Sequence, residues 1–435
     1  MRRSSSPKAV RVPSNGNACP RRHDGISLFC LDVLILLGRK ENSQNHRRVC
    51  NIQTATPALK FFEMAIPLPQ VHSVVDCASF NRTVLPFLSQ LTTLPAQLQV
   101  AAATKDVDAL KDIYLSTNPF ISALGFTLVL WVLFVVSAEI NRNYSQVDRF
   151  WSILPAVYNV HFVAWARMWG IQNQSLDTIA VITLLWSVRL TFTYWRKGGY
   201  QIGSEDYRWE IVKSQINNRF LFFLLNVTFI SFIQPMLLLL VTAPTYNFIL
   251  LSRLPGFEPF GLPDLVFSRL AFFFLIIEYF ADQQQWNFQS AKKEYQKTAR
   301  IPDQYKGQFT PEDLERGFVV SGLWSLSRHP NFVAEQAFWL TLYLWNCYRT
   351  DSYIQWTGLG VLGYLLIFQS STRLTESISA SKYPEYSEYQ ARVGRFIPRF
   401  SVKPKHNGSK KKAPRSETES ASAGDQVTQE GKKSR

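Results

Sequence analysis

Residues 119–140 read Pro119-Phe-Ile-Ser-Ala-Leu-Gly-Phe-Thr-Leu-Val-Leu-Trp-Val-Leu-Phe-Val-Val-Ser-Ala-Glu-Ile140, and this stretch decides the fold. Between Phe126 and Val136 the one hydroxyl is that of Thr127. A bilayer core offers no water to backbone N–H and C=O groups, so a chain crosses it as a helix of roughly 20 apolar residues. Working outward, six more segments fit: 149–169, 177–195, 219–242, 263–284, 332–348 and 354–372. The second carries His161 and Arg167, the third Arg189, and the sixth Glu335. The expected fold is therefore all-α: a polytopic membrane bundle of about seven transmembrane helices with disordered tails at both ends. The 246–251 stretch is too short to cross. With Pro244, Pro255, Pro259 and Pro263 around it, it reads as a lumenal or interfacial loop. Residues 26–38 are also short, contain Asp32, and are followed by no clean small-residue cleavage site.

Composition agrees. Hydrophobic residues make up 46% of the chain against 18% charged, a balance that fits membrane helices better than two or three soluble domains. The 47 Lys and Arg exceed the 32 Asp and Glu, but they gather in loops and at the ends, as juxtamembrane charge does. No nucleic-acid partner is expected. The five cysteines (Cys19, Cys30, Cys50, Cys77, Cys347) form neither a CxxC pair nor a Cys/His spacing, so no metal site is expected. Cys347 reads as a small buried hydrophobe.

Loop charge orients the bundle. Segments after Trp195, after Gln285 and after Arg392 are basic, and seven crossings put all three on one side, the cytosol by the positive-inside rule. The C-terminus is then cytosolic. Lys432-Lys433-Ser434-Arg435 matches a dilysine retrieval signal, which points to the endoplasmic-reticulum membrane, although a solvated basic tail reads the same way. Residues 1–63 form an N-terminal extension, disordered or unrelated to the rest, and 64–114 a lumenal segment. Residues 115–400 form the membrane domain and 401–435 a disordered basic tail. Met64 opens the more ordered stretch and stands as an alternative start.

Ionisable groups at membrane depth are expensive, so each is a candidate site residue. Glu278, Asp282, Gln285 and Gln289 recur at i, i+4, i+7 and i+11, one helical stripe. Trp186, Arg189, Thr193 and Arg196 form a second, and Asp148, Trp151, Tyr158, His161 and Trp165 a third. Such stripes line a cavity rather than face lipid. On the purely structural reading Arg189 pairs with Glu139 or Asp148 across helices. Asn226, Thr228, Ser231 and Gln234 read as interhelical hydrogen-bonding glue.

The most specific stretch is Gly322-Leu-Trp-Ser-Leu-Ser-Arg328-His329-Pro330-Asn331-Phe332, followed by Glu335 and Trp339. Pro330 suits a first helical turn, and Asn331, Glu335 and Trp339 then share a face. Arg328 and His329 at that helix start suit an anion. Beyond the last span come Arg373, Glu376, Tyr383, Tyr386, Tyr389 and Arg392, residue types that stack on and pair with a nucleotide.

Together with the Asp282–Phe288 segment and the closing Ile397-Pro398, these clusters resemble the C-terminal domain of the steroid 5-alpha-reductase superfamily. Asn143-Tyr-Ser-Gln-Val-Asp148-Arg-Phe-Trp151 and Gly199-Tyr-Gln-Ile-Gly-Ser-Glu205-Asp206-Tyr207-Arg208-Trp209 are similar to a broad family of membrane proteins within it. The resemblance covers about residues 115–400. It implies a cytosol-facing cavity holding NADPH, with Asp282, Arg328, His329, Asn331, Glu335, Tyr386 and Tyr389 approaching the cofactor. It also implies reduction of a carbon–carbon double bond in a sterol-like or other lipid, with Asp148, Tyr158 and His161 as candidate proton donors. The Arg-His-Pro-Asn pattern and the Tyr-rich end are shared with the isoprenylcysteine carboxyl methyltransferases, which use S-adenosylmethionine. The loop from Glu205 to Arg208 and the Asp282 stripe favour the reductase side. A non-enzymatic lipid-binding or scaffolding role is the third reading.

Overall fold

The computed structural model describes residues 65–399, which all fall in one compact unit. The short apolar 26–38 segment, both tails and the dilysine ending lie outside the described residues. Within them the chain is helical, and no β-strand forms.

Helix α1 (Pro119–Asn141) starts where the sequence marks it. Pro119 occupies the first turn, and the Asn118 side chain accepts from Phe120 and Ile121 N–H groups left free at the helix start. The same Asn118 amide donates to the Pro67 carbonyl and the Tyr246 hydroxyl, tying the preceding segment to the bundle. Before α1 lie two shorter helices, Gln90–Thr104 and Val107–Ser116. Helix α2 (Leu154–Met168) follows, then α3 (Gln174–Arg196), capped by Asn173. Helix α4 (Arg219–Leu251) is capped by Asn218 and irregular along its length. Helix α5 (Leu262–Thr298) is the longest, and α6 (Pro330–Thr350) and α7 (Gly358–Lys382) close the bundle.

The irregularity in α4 has a local cause. Residues Asn226–Ile233 are π-helical and end just before Pro235. Proline has no N–H for the carbonyl four residues back and crowds it, so the preceding turns widen. The indole of Trp131 on α1 donates to the Val227 carbonyl at 3.0 Å, and Asn226 donates to Glu139 at 2.9 Å. The expected glue is therefore partly realised: Asn226 crosses between helices, Ser231 bonds Asn226 and Thr228 bonds its own helix, while the Gln234 carbonyl oxygen is buried without a partner.

The expected loop at 246–251 is instead helical. The last part of α4, Ala243–Leu251, is a buried helical segment set off by a turn at Val241–Thr242, and Pro244 falls in its first turn, where its missing N–H costs nothing. It packs against α2, α3 and α6 as a core element.

The molecule is apolar outside and polar within. Val181, Leu185, Val188, Phe192 and Trp195 form an exposed stripe on α3, whereas Trp186 on the same helix is fully buried. Helices α1, α4 and α5 also expose valine, leucine, isoleucine and phenylalanine. An exposed apolar coat of this extent marks contact with lipid rather than water. Three helices, α1, α3 and α4, are long and apolar enough to cross a membrane by length and composition. Helix α2 has 15 residues, while α5, α6 and α7 carry Glu278, Asp282, Glu335 and Arg373 among their apolar residues. The protein is a helical membrane protein.

Candidate functional site

A buried polar cluster is centred on Arg189 in α3. Its guanidinium faces three carboxylates: Glu278 at 2.7 Å, Asp282 at 2.6 Å and Glu335 at 3.2 Å. The Arg189 side chain is only 9% exposed, and that of Glu278 is fully enclosed. Helix geometry explains the meeting. Glu278 and Asp282 stand one turn apart on α5, and α6, which carries Glu335, packs along α5 more extensively than any other pair of elements. The partners expected for Arg189 are engaged elsewhere: Glu139 binds Arg142 and Asn226, and Asp148 accepts from Trp209.

Glu335 is held on all sides. The indoles of Trp186 and Trp339 donate to it at 3.0 and 3.1 Å, and the Tyr364 hydroxyl of α7 donates at 2.6 Å. Tyr364 in turn accepts from the Trp151 indole at 3.2 Å. On the other flank the Asn331 amide donates to Asp282 at 3.2 Å. A continuous polar chain thus runs from Trp151 to Asn331 through the interior. It is not fully satisfied: the Arg189 Nε, both Glu278 oxygens and the Gln285 carbonyl oxygen lack hydrogen-bond partners in burial. For Glu278 this stands beside its 2.7 Å ion pair to Arg189, whose alignment is too poor for a hydrogen bond. Along the α5 stripe, exposure rises from buried Glu278 and Asp282 through half-buried Gln285 to exposed Gln289. The cluster opens toward that end.

A second cluster sits at the start of α6, beyond residue 372, where the last expected span ends. Here one carboxylate serves two arginines and a histidine. Glu376 receives Arg328 at 2.7 and 3.1 Å, His329 at 3.0 Å and Arg395 at 3.1 Å. Arg328 also donates to the Gln390 carbonyl at 3.1 Å and to that of Val393, pinning the short helix Tyr386–Arg392. Burial pushes the Glu376 carboxyl up, but the hydrogen bonds from His329 and Arg328 outweigh it and hold the group well below the usual carboxylate range. Tyr386 and Tyr389 lie behind this clasp, packed on Phe318 with ring centres 5.0 and 5.5 Å away. The Tyr389 hydroxyl donates to the Trp324 carbonyl, and burial raises the Tyr386 phenol to about 12.

The structure therefore brings Asp282, Asn331 and Glu335 together around Arg189, and sets Arg328 and His329 one turn away on Glu376. Asp148, Tyr158 and His161 stand apart from both clusters. Tyr158 shares a 2.7 Å hydrogen bond with Thr127, and His161 lies between the Tyr114 hydroxyl and the Pro119 carbonyl, each at 2.8 Å. The carbonyl can only accept, so it takes the Nε2 proton and leaves Nδ1 to accept from Tyr114. Asp148 belongs to a loop lock. Its carboxylate takes the Trp209 indole at 2.9 Å, while Asn143, Tyr144 and Ser145 bind Ser204, Glu205 and Asp206. Burial raises the Asp148 carboxyl, against the pull of Arg208. Tyr364 is the site residue that sequence reasoning missed. The signal was available: a lone phenol in the apolar run from Leu359 to Phe368.

A family model described as "Protein of unknown function (DUF1295)" matches residues 133–393, more than half the chain and all of the two clusters except Arg395. The chain belongs to this family. An uncharacterized protein of the fission yeast Schizosaccharomyces pombe is 39% identical over 343 residues, covering 78% of this chain and 94% of the yeast protein. No solved structure matches.

Proposed function

We propose that this DUF1295 protein is a membrane-embedded, NADPH-dependent reductase of a carbon–carbon double bond in a sterol-like or other lipid, related to the steroid 5-alpha-reductase superfamily. The observation that carries this reading is the convergence of Asp282, Asn331 and Glu335, three positions the resemblance assigns to the cofactor, on one buried arginine inside a lipid-coated bundle. In the same reading α1 to α7 all cross the bilayer of the endoplasmic reticulum, with the C-terminus in the cytosol. The exposed apolar faces of α5 and α7, with Phe273 and Leu362 among them, support crossings beyond the three most apolar helices.

The residues present fit a nicotinamide dinucleotide in kind. A carboxamide offers both donor and acceptor; the cluster holds an unpartnered donor in Arg189 Nε, and the Gln285 side-chain oxygen, about one turn along α5 from Asp282, is an unpartnered acceptor. Asp282, Asn331, Glu335 and Arg189 would hold that end. When bound, the cofactor supplies hydride to the beta carbon of a conjugated lipid. The chain's own part is to orient and to exclude water, through the Trp186, Trp339 and Tyr364 bonds that fix Glu335. Arg328, His329 and Glu376 secure the helix that carries Asn331 and Glu335. One observation favours the methyltransferase reading: three acids around one guanidinium suit a cationic centre such as the sulfonium of S-adenosylmethionine.

Titration of the purified protein in detergent separates the two. Under the reductase reading the protein shifts or quenches NADPH fluorescence and is not stabilised by S-adenosylmethionine. Stabilisation by S-adenosylmethionine alone transfers the cluster to the methyltransferase. Indifference to both, in folded protein, leaves a lipid-binding or scaffolding role. Comparing lipids of cells with and without the gene then names the substrate by its missing saturated product.

A further inference from the structure

Where the exposed stripe of α3 ends, the surface dips into a groove of about 440 Å³ lined by Trp195, Arg196, Gly198, Tyr200, Gln201 and Trp286. This lies within the usual range of ligand clefts, roughly 300–1,000 Å³. Its position is a boundary. Val181, Leu185, Val188, Phe192 and Trp195 expose a lipid-facing row at helical spacing, and the next residues are the cations Arg196 and Lys197. Tryptophan and tyrosine collect at this depth of a bilayer, and arginine reaches from it toward phosphate.

Arg196 is held but not neutralised. It donates to the Gln283 side chain at 2.9 Å and to the Asp282 backbone carbonyl at 3.2 Å, and its guanidinium stacks 4.7 Å above the Trp286 ring. Among the described residues it makes no ion pair, and its Nε–H is buried without a partner. Its hydrogen-bond partners are neutral and fix its orientation, and the Asp282 carboxylate acts on its charge only through space. The groove wall is equally fixed. Tyr200 donates to the Arg149 carbonyl at 2.9 Å, and Gly198 takes a φ of +86° that favours glycine. At Gly199 a Cβ would meet the Tyr194 ring at 2.3 Å, so a larger residue there has to displace that ring.

We propose that this groove binds the anionic phosphate headgroup of a bilayer phospholipid. Arg196 is its counter-ion, Trp195, Tyr200 and Trp286 form its collar, and the acyl chains lie along the Val181–Phe192 row. Arginine meets phosphate through charge-assisted N–H donors, and the partly exposed Arg196 side chain lines the groove. The proposal does not rest on the reductase reading, because neither NADPH nor a reducible lipid enters it. Its consequence for the buried cluster is direct contact: Arg196 bonds the main chain of Asp282, so an occupied groove touches the residue that pairs with Arg189.

The test is native mass spectrometry of the full chain from nanodiscs containing phosphatidic acid and phosphatidylcholine in equal amounts. The expected result is a retained phosphatidic acid molecule, bound about tenfold more weakly by Arg196→Gln, one charge-assisted hydrogen bond's worth, and largely restored by Arg196→Lys. Gln201→Glu, an exposed position that adds a negative charge without touching the core, should weaken retention in the same direction. Equal retention of both lipids by the wild-type protein overturns the proposal, as does unchanged retention in all three variants. Displacement of the lipid by millimolar inorganic phosphate overturns it in favour of a soluble phosphate site. Loss of NADPH affinity in Arg196→Gln with phosphatidic acid still bound assigns the groove to the cofactor instead.

Discussion

The two polar clusters of this protein use the same residue types in opposite proportion. Around Arg189 three carboxylates share one cation, whereas around Glu376 two arginines and a histidine share one carboxylate. The Glu376 clasp is saturated: its carboxylate and the Arg328 guanidinium both reach several partners, and two chain segments are joined. The Arg189 cluster lies deeper and keeps unpartnered atoms at its centre. A buried polar network that is fully paired rigidifies the fold, and one left partly unpaired calls for an explanation such as a functional role. The difference separates a structural device from a candidate site within two turns of one helix.

The largest effect is expected from Arg189→Leu. It leaves three enclosed carboxylates with no cation, which costs about 3–5 kcal/mol when one partner of a buried pair is removed. Loss of folded yield and a lowered detergent melting temperature are expected, with Arg189→Lys recovering part of the loss. An unaffected melt would mean that the cluster is open to water.

Glu376→Gln is the matching change on the other side, and its effect should be local. Hydrogen exchange should rise in Tyr386–Arg392 and at the start of α6, while α3 and α5 stay protected. A pH series sharpens this. Because the folded Glu376 carboxyl is held below its ordinary value, its contribution is complete above the unfolded value of about 4.3 and is lost as the pH falls below that. Acid should therefore release the C-terminal helix in the wild-type protein, and Glu376→Gln should lack that step. Equal acid response in both proteins would remove Glu376 from the clasp.

Much of this arrangement was legible in the sequence and some was not. Helices α1 and α4 start at Pro119 and Arg219, where the spans 119–140 and 219–242 were expected to begin, whereas α3 starts at Gln174, three residues before the expected 177. The α5 stripe followed from helical periodicity. Lateral register did not follow, since spacing along one helix says nothing of how far its neighbour is slid. Arg189 was therefore matched to Glu139 and Asp148 rather than to Glu278, Asp282 and Glu335. For the same reason Asp148, Tyr158 and His161 share a stripe in the sequence yet bond to Trp209, Thr127 and Tyr114 separately. Helix α5 also runs to Thr298, 14 residues past the expected end of its span, because a polar continuation ends a membrane segment without ending a helix.

Smaller effects test the divide further. Asn331→Ala removes the 3.2 Å bond to Asp282 and the bond its side-chain oxygen accepts from the Phe332 N–H, so NADPH should bind about tenfold more weakly while the melt falls only slightly. An unchanged affinity would take Asn331 out of the site. Tyr158→Phe should cost about 1 kcal/mol of stability through the lost Thr127 bond and leave NADPH affinity untouched. Loss of lipid reduction in that variant would make Tyr158 a proton donor despite its distance from the cluster.

The most direct measurement is a cryo-electron microscopy map of the full chain in nanodiscs with saturating NADPH. Density for the nicotinamide ring should stand among Arg189, Asp282, Asn331 and Glu335, with the Glu376 clasp unchanged from its unliganded form. A map with those side chains closed on one another and the dinucleotide absent, or bound on an outer surface, would contradict the assignment of the Arg189 cluster as the site.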